Sequence, residues 1–145
     1  MDLDLPAPRA GLQKHLLEDT LSRLPLAHPV SVSRHDPVST AIAAMKQHRV
    51  GCALVVEGEK LVGILTERDV LLKLTEPGLD LHRIPVDRVM THDPVTLSEQ
   101  DTLAVTLHQM SLGGFRHLPV VTGDGRPRGV VSVKDIFRYI FSLCR

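Results

Sequence analysis

Aromatic residues are scarce in this chain: three phenylalanines, one tyrosine and no tryptophan in 145 residues. Proteins that hold single-stranded nucleic acid stack bases on aromatic rings, so that class is disfavoured from the outset. Net charge is missing as well. Seventeen Lys and Arg against seventeen Asp and Glu leave no bulk field to draw a nucleic acid or an anionic membrane. Only a local basic pocket can supply attraction. Two cysteines, Cys52 and Cys144, are too few for a disulfide framework and lack metal-site spacing, which points to a reducing compartment. No apolar run approaches the roughly 20 residues of a membrane span, and the acidic start with Pro6 and Pro8 does not read as a secretory leader. A cytoplasmic protein is expected.

Catalytic signatures are absent too. There is no Gly-x-Ser-x-Gly elbow, Walker loop or Gly-x-Gly-x-x-Gly run. The eight histidines include no pair at i, i+4 or H-x-H spacing, so no metal site is expected. Cys52 lies near His48 in sequence, but no third group orients the pair, and a packed thiol is the better reading. A non-enzyme is expected.

What the chain does have is 43% hydrophobic residues, enough to bury a core, and a sequence written twice. Residues 63–70, Gly-Ile-Leu-Thr-Glu-Arg-Asp-Val, return as residues 129–136, Gly-Val-Val-Ser-Val-Lys-Asp-Ile. Each copy reads as a short apolar strand that stops at a hydroxyl residue and becomes a helix, with an aspartate three residues after the hydroxyl. Around these motifs the same order recurs. Leu12, Leu16, Leu17, Leu21 and Leu24 predict a helix over 12–24, ended by Pro25, after a loose arm over residues 1–11. A brief extended segment at 29–32 follows. Asp36 then predicts an N-cap with Pro37 at the first helical position, and Val38, Ala41, Ile42 and Met45 give one apolar face. Strands at 52–56 and 61–65 flank a turn at 57–59, and a helix runs to about Thr75.

Pro77, Gly78 and Pro85 mark a linker, and the order restarts. Asp101 falls on Asp36 and Met110 on Met45, a shift of 65 (101−36, 110−45). Residues 115–121 fall on 50–56. The second hairpin, with Gly123, Asp124 and Gly125, is one residue longer, so Gly129 lies 66 beyond Gly63 (129−63). The fold class expected is α/β (α+β): an arm and short helix over 1–25, then two β-α-β-β-α repeats over 26–80 and 81–145. Halves of this size bury little surface alone, so they are expected to pair as one pseudo-twofold unit.

The motif residues admit two readings. Thr66 with Asp69, and Ser132 with Asp135, fit a capping box that satisfies orphan helix N–H groups; an exposed carboxylate there can instead accept both hydroxyls of a ribose. Arg68 and Lys134 place cations in the first helical turn, where the macrodipole prefers anions by roughly 0.3–1 kcal/mol. An incoming phosphate would explain both violations; side chains simply reaching into solvent would also do so. Phe115, Val50 and the Pro-Val segments at Val30 and Val95 could sandwich a flat base or be plain core.

Together the repeats, with Val-Gly-Cys-Ala-Leu-Val-Val before the first motif and Val-Met-Thr-x-Asp-Pro-Val-Thr-Leu and His-Leu-Pro-Val-Val before the second, resemble a tandem pair of CBS domains, the Bateman module. The likeness covers about residues 26–142. It implies a regulatory module without catalysis that binds AMP, ADP, ATP or S-adenosylmethionine in clefts between the repeats. It also implies a disc-like homodimer that reports to another protein.

In this likeness the aspartates hold the ribose, and Arg116 with His117 forms a basic pair facing phosphates; Arg116 read alone is equally a surface strand arginine. The clefts would be built crosswise, with Thr66 and Asp69 facing Phe115 and Arg116. Ser132, Lys134 and Asp135 would face Val30, Val50 and Gly51. Because Gly51 and Cys52 stand where repeat two has Arg116 and His117, the first cleft is expected to prefer the more phosphorylated ligand. An interaction scaffold with vestigial pockets is the alternative. For either, the apolar Ile136, Phe137, Ile140 and Phe141 predict a homodimer.

Overall fold

A computed structural model of the chain describes residues 11–144, so the arm read over 1–11 lies, except for Gly11, outside the described residues. The elements run α1 (Leu12–Glu18), β1 (Ser31–Ser33), α2 (Val38–His48), β2 (Cys52–Glu57), β3 (Lys60–Thr66), α3 (Glu67–Lys73), β4 (Thr91–His92), α4 (Leu103–Gly113), β5 (His117–Val121), β6 (Pro127–Ser132) and α5 (Val133–Leu143). Two short 3-10 turns, Leu21–Arg23 and Val86–Arg88, precede the repeats.

Those turns are the main departures from the sequence reading. The helix predicted over 12–24 stops at Glu18, because residues 19–22 are pulled into backbone bonds with the start of repeat two. Leu103 N donates to Asp19 O, Leu21 N to Asp101 O and Ser22 N to Glu99 O, each at 3.0 Å. Repeat one is met in the same way: Val38 N donates to Ile84 O at 2.7 Å, Val86 N to Asp36 O at 2.8 Å and Asp87 N to Arg34 O at 3.0 Å. Long-range partners thus override helical periodicity. They also explain why Asp36 is not the N-cap. Pro37 occupies that position without a side-chain cap, and the carbonyls of Leu81 and Ile84 take the first α2 amides. Asp36 instead accepts from Ser33 N at 2.9 Å, and Asp101 likewise from Ser98 N at 2.8 Å.

The sheets carry the same exchange. β1 pairs parallel with β2, which pairs antiparallel with β3, which pairs antiparallel with β4. β4 lies on the way into repeat two yet closes the sheet of repeat one. In repeat two, β5 and β6 form a hairpin flanked by a parallel bridge from Leu97 to Val120 and an antiparallel bridge from Ala27 to Val130. The segment before each repeat therefore edges the other repeat's sheet. One core cluster joins Val38, Ala41, Val55 and Leu65 to Val86, Val89 and Met90. The second joins Leu103, Leu118, Val131 and Ile136 to Leu21 and Leu24. Cys52, Leu54, Ile64 and Val130 pack together where the repeats meet.

Gly63 and Gly129 let these crossing segments lie close. A Cβ on Gly129 would sit 2.9 Å from Leu26 Cβ and 3.3 Å from the Ala27 carbonyl oxygen, whereas the three atoms nearest to one on Gly63 all belong to the Met90 side chain. A thioether chain can move aside; backbone cannot. Gly129→Ala is expected to cost about 1–3 kcal/mol and Gly63→Ala less, as read by urea denaturation.

Asp19 pins the N-terminal segment to α5. It is 7% exposed and accepts from the Tyr139 hydroxyl and from His15 Nδ1 at 2.8 Å, with Arg23 Nε at 3.8 Å. The Tyr139 hydroxyl, then His15 and Arg23, hold its carboxyl below the ordinary 3.8, against the opposing effect of burial. A depressed folded value means stability that is present above the unfolded value and lost as pH falls through the folded one. Asp19→Asn is therefore expected to lower stability at neutral pH and to shrink the further loss on acidification to about pH 3. Denaturation midpoints at the two pH values give the comparison.

Candidate ligand-binding cleft

Each motif strand hands over to its helix through a hydroxyl residue in extended conformation, Thr66 before α3 and Ser132 before α5. Both capping boxes form. Asp69 N donates to Thr66 Oγ1 at 3.2 Å, while Asp69 Oδ2 accepts from Thr66 N at 3.0 Å and Thr66 Oγ1 at 3.1 Å. In repeat two, Asp135 N donates to Ser132 Oγ at 3.3 Å, and Asp135 Oδ2 accepts from Ser132 N at 2.8 Å and Ser132 Oγ at 3.0 Å. The cap engages Oδ2 in both cases, so capping and ligand binding can share one carboxylate. At Asp69, Oδ1 lies 3.1 Å from Lys73 Nζ, which also donates to Val89 O at 2.8 Å. The i, i+4 spacing of Asp69 and Lys73 is the sequence signal for this contact, and the sequence reading missed it.

A cleft of about 710 Å³ opens beside Asp69, within the size range of small-molecule sites. From repeat one it is lined by Thr66, Arg68 and Asp69, and from repeat two by Val95, Phe115, Arg116 and His117. Thr66 and Asp69 thus lie on one cleft with Phe115 and Arg116. Gly51, expected in the second cleft, also lines this one: its carbonyl accepts from Glu67 N at 3.0 Å, and a Cβ there would sit 3.0 Å from the His117 ring. Two carboxylates that the sequence reading overlooked, Glu67 and Asp93, line it as well. Their positions, Glu67 directly after the hydroxyl residue of the first motif and Asp93 directly before Pro94, were the available signal.

Electrostatically the cleft is mixed. Burial pushes the His117 imidazole below its ordinary value, with Glu67 and Asp135 acting the other way and Arg116 and Lys134 adding to the lowering. His117 is therefore neutral near pH 7 and is not a fixed cation. Burial, helped by Glu67, pushes the Cys52 thiol up to about 11, which fits a packed, inert sulfur. The Phe115 ring lies directly over Gly113, where any Cβ would collide with it. Val30 and Val50 are half-buried against the repeat-one core. Among the described residues no group of three or more His, Cys, Asp or Glu could hold a metal.

The CBS domain family model matches the chain twice, over residues 21–76 and 86–142. The chain belongs to the CBS-domain family. Both matched stretches begin at the 3-10 turns, 65 residues apart (86−21). A CBS domain-containing protein of Arabidopsis thaliana, CBSCBSPB3, is 35% identical over 112 residues, which is 77% of this chain and 20% of that protein. The chain thus spans about a fifth of that relative. A CBS domain protein of Pyrobaculum aerophilum, solved in complex with AMP, superposes with a TM-score of 0.74 at 25% identity, covering 85% of this chain and 98% of that one. The CBS domain pair of protein MJ0100, solved with 5′-methylthioadenosine and S-adenosyl-L-methionine, shares the fold: TM-score 0.75, 23% identity, 87% and 98% covered. The molecule is a mixed α/β CBS pair, and among the described residues no helix is long and apolar enough to cross a membrane.

Proposed function

We propose that this CBS pair is a non-catalytic regulatory module of the cytoplasm that binds an adenosine-containing ligand: AMP, ADP, ATP or S-adenosylmethionine. The observation that carries the reading is the cleft that sets Thr66 and Asp69 of one repeat against Phe115 and Arg116 of the other. In it, Asp69 takes the ribose diol and Arg68 with Arg116 meets phosphate. Val95 and Phe115 flank the base, and His117 closes the cleft toward Gly51. Ser132, Lys134 and Asp135 form the matching half-site, with Val30, Val50 and Gly51 opposite. The Pyrobaculum aerophilum protein was solved with AMP, which supports the ligand class. Occupancy changes the angle between repeats only to the extent that the ligand prefers one arrangement, and the output passes to a separate regulated protein. Leu71 and Leu72 on α3 (67% and 71% exposed) and Phe137 and Phe141 on α5 (52% and 68%) leave an apolar surface suited to a homodimer.

Calorimetric titration with each of the four ligands, with molar mass read by light scattering, tests both parts. Heat from at least one adenosine compound and a dimeric mass are expected. Silence from all four would leave the alternative, a scaffold that only assembles.

A further inference from the structure

The repeat symmetry implies a second cleft whose charge differs from that of the first, in the opposite sense to the one that Arg116 and His117 suggest by themselves. In the first, Arg68 and Arg116 face three carboxylates, Glu67, Asp69 and Asp93, and His117 is uncharged near neutral pH. Lys73 is already committed to Asp69.

The internal symmetry identifies the matching positions of the second cleft. It is well kept: the parallel partners Val32 with Val55 and Leu97 with Val120 are both 65 apart (97−32, 120−55). The backbone hydrogen bonds from Val50 N to Met45 O and from Phe115 N to Met110 O repeat at the same shift, and Glu67 N to Gly51 O returns as Val133 N to Arg116 O. The helices α2 and α4 both end on a left-handed residue, Arg49 (φ 54) and Gly114 (φ 66).

Carried across, the cleft-lining Gly114, Arg68 and Leu72 become Arg49, Lys134 and Arg138 (114−49 is 65; 134−68 and 138−72 are 66). The acidic Glu67 becomes Val133, and Asp93 becomes His28. Gly51 becomes Arg116 (116−51 is 65), and the three new cations would stand opposite one carboxylate, Asp135. All three are exposed, and none makes an ion pair among the described residues. Arg49 holds a backbone conformation that glycine would adopt without the steric cost of a Cβ.

We propose that the clefts divide the ligand chemistry: the one at the α5 start takes a polyphosphate-bearing ligand through Arg49, Lys134 and Arg138. The one at the α3 start takes an adenosine compound with one phosphate or none. The adenosine part rests on the function proposed above; the polyphosphate part does not.

The test titrates the full chain with adenosine, ATP and inorganic tripolyphosphate. One variant combines Arg49→Gly, Lys134→Ala and Arg138→Ala; a control carries Arg68→Ala alone. Glycine suits the cap at 49 and the other changes are on exposed residues, so unchanged melting temperatures are expected without ligand. In the first variant, affinity for ATP and tripolyphosphate is expected to fall about tenfold or more, with adenosine within about twofold. The control is expected to leave tripolyphosphate binding intact. Tripolyphosphate loss confined to the control, or no tripolyphosphate binding by the unmodified chain, overturns the division while leaving the adenosine reading in place. If tripolyphosphate behaves as stated and adenosine does not bind, the polyphosphate cleft stands and the adenosine reading fails.

Discussion

Asp69→Ala is expected to weaken adenosine binding by two to three orders of magnitude, or about 3–4 kcal/mol, from the loss of two hydrogen bonds to a charged acceptor. The estimate follows from the geometry of the carboxylate. Oδ2 is engaged by Thr66, Oδ1 meets Lys73, and the carboxylate lines the same cleft as Phe115. The same substitution removes half of a capping box, which costs about 1 kcal/mol of stability, so a lower melting temperature proves nothing about ligand. Thr66→Ala separates the two roles: it breaks the cap while leaving the carboxylate. If Asp69 is only a cap, both variants lose stability alike and neither changes the adenosine isotherm. If it holds a ribose, Asp69→Ala loses far more affinity than Thr66→Ala at similar cost in stability. Asp135→Ala should leave the adenosine site nearly untouched.

The repeat and both capping boxes could be read from the chain because each rests on local chemistry at fixed spacing, whereas the crosswise grouping of the first cleft came from the likeness to CBS pairs. A hydroxyl followed three residues later by a carboxylate has few other uses at a strand-to-helix junction. What the sequence hid depends on contacts between distant residues. Leu21 and Leu24 continue the leucine period of α1, and nothing local says that their backbone turns away to bond Asp101 and Glu99. Asp36 beside Pro37 is a good local cap, but Leu81 and Ile84 supply the carbonyls instead. The carboxylates of the first cleft were hidden for a related reason. Arg116 and His117 stand next to each other in sequence, whereas Glu67 and Asp93, which oppose them, come from other segments. Burial then removes the proton that made His117 count as basic.

The same exchange of segments predicts that the repeats do not fold separately. Divided after Gly78, a site with φ 87 in an exposed linker, the first fragment loses Val86, Val89 and Met90 from its core. It also loses β4 and the carbonyls that cap α2. The second loses Leu21, Leu24 and the Asp19 anchor of Tyr139. Three buried side chains at roughly 1.5–3 kcal/mol each amount to about 5–9 kcal/mol, against the 5–15 kcal/mol that typically holds a domain together. The shared cluster of Cys52, Leu54, Ile64 and Val130 would be exposed in both fragments as well. Each fragment alone, at dilute concentration, is therefore expected to lack a cooperative thermal transition. An equimolar mixture should regain one, and the intact chain should unfold in a single step. Two transitions in the intact chain, or one fragment that melts cooperatively as a monomer, would mean that the crossing segments decorate two self-sufficient units. The clefts between the repeats would then be free to open without cost to either core.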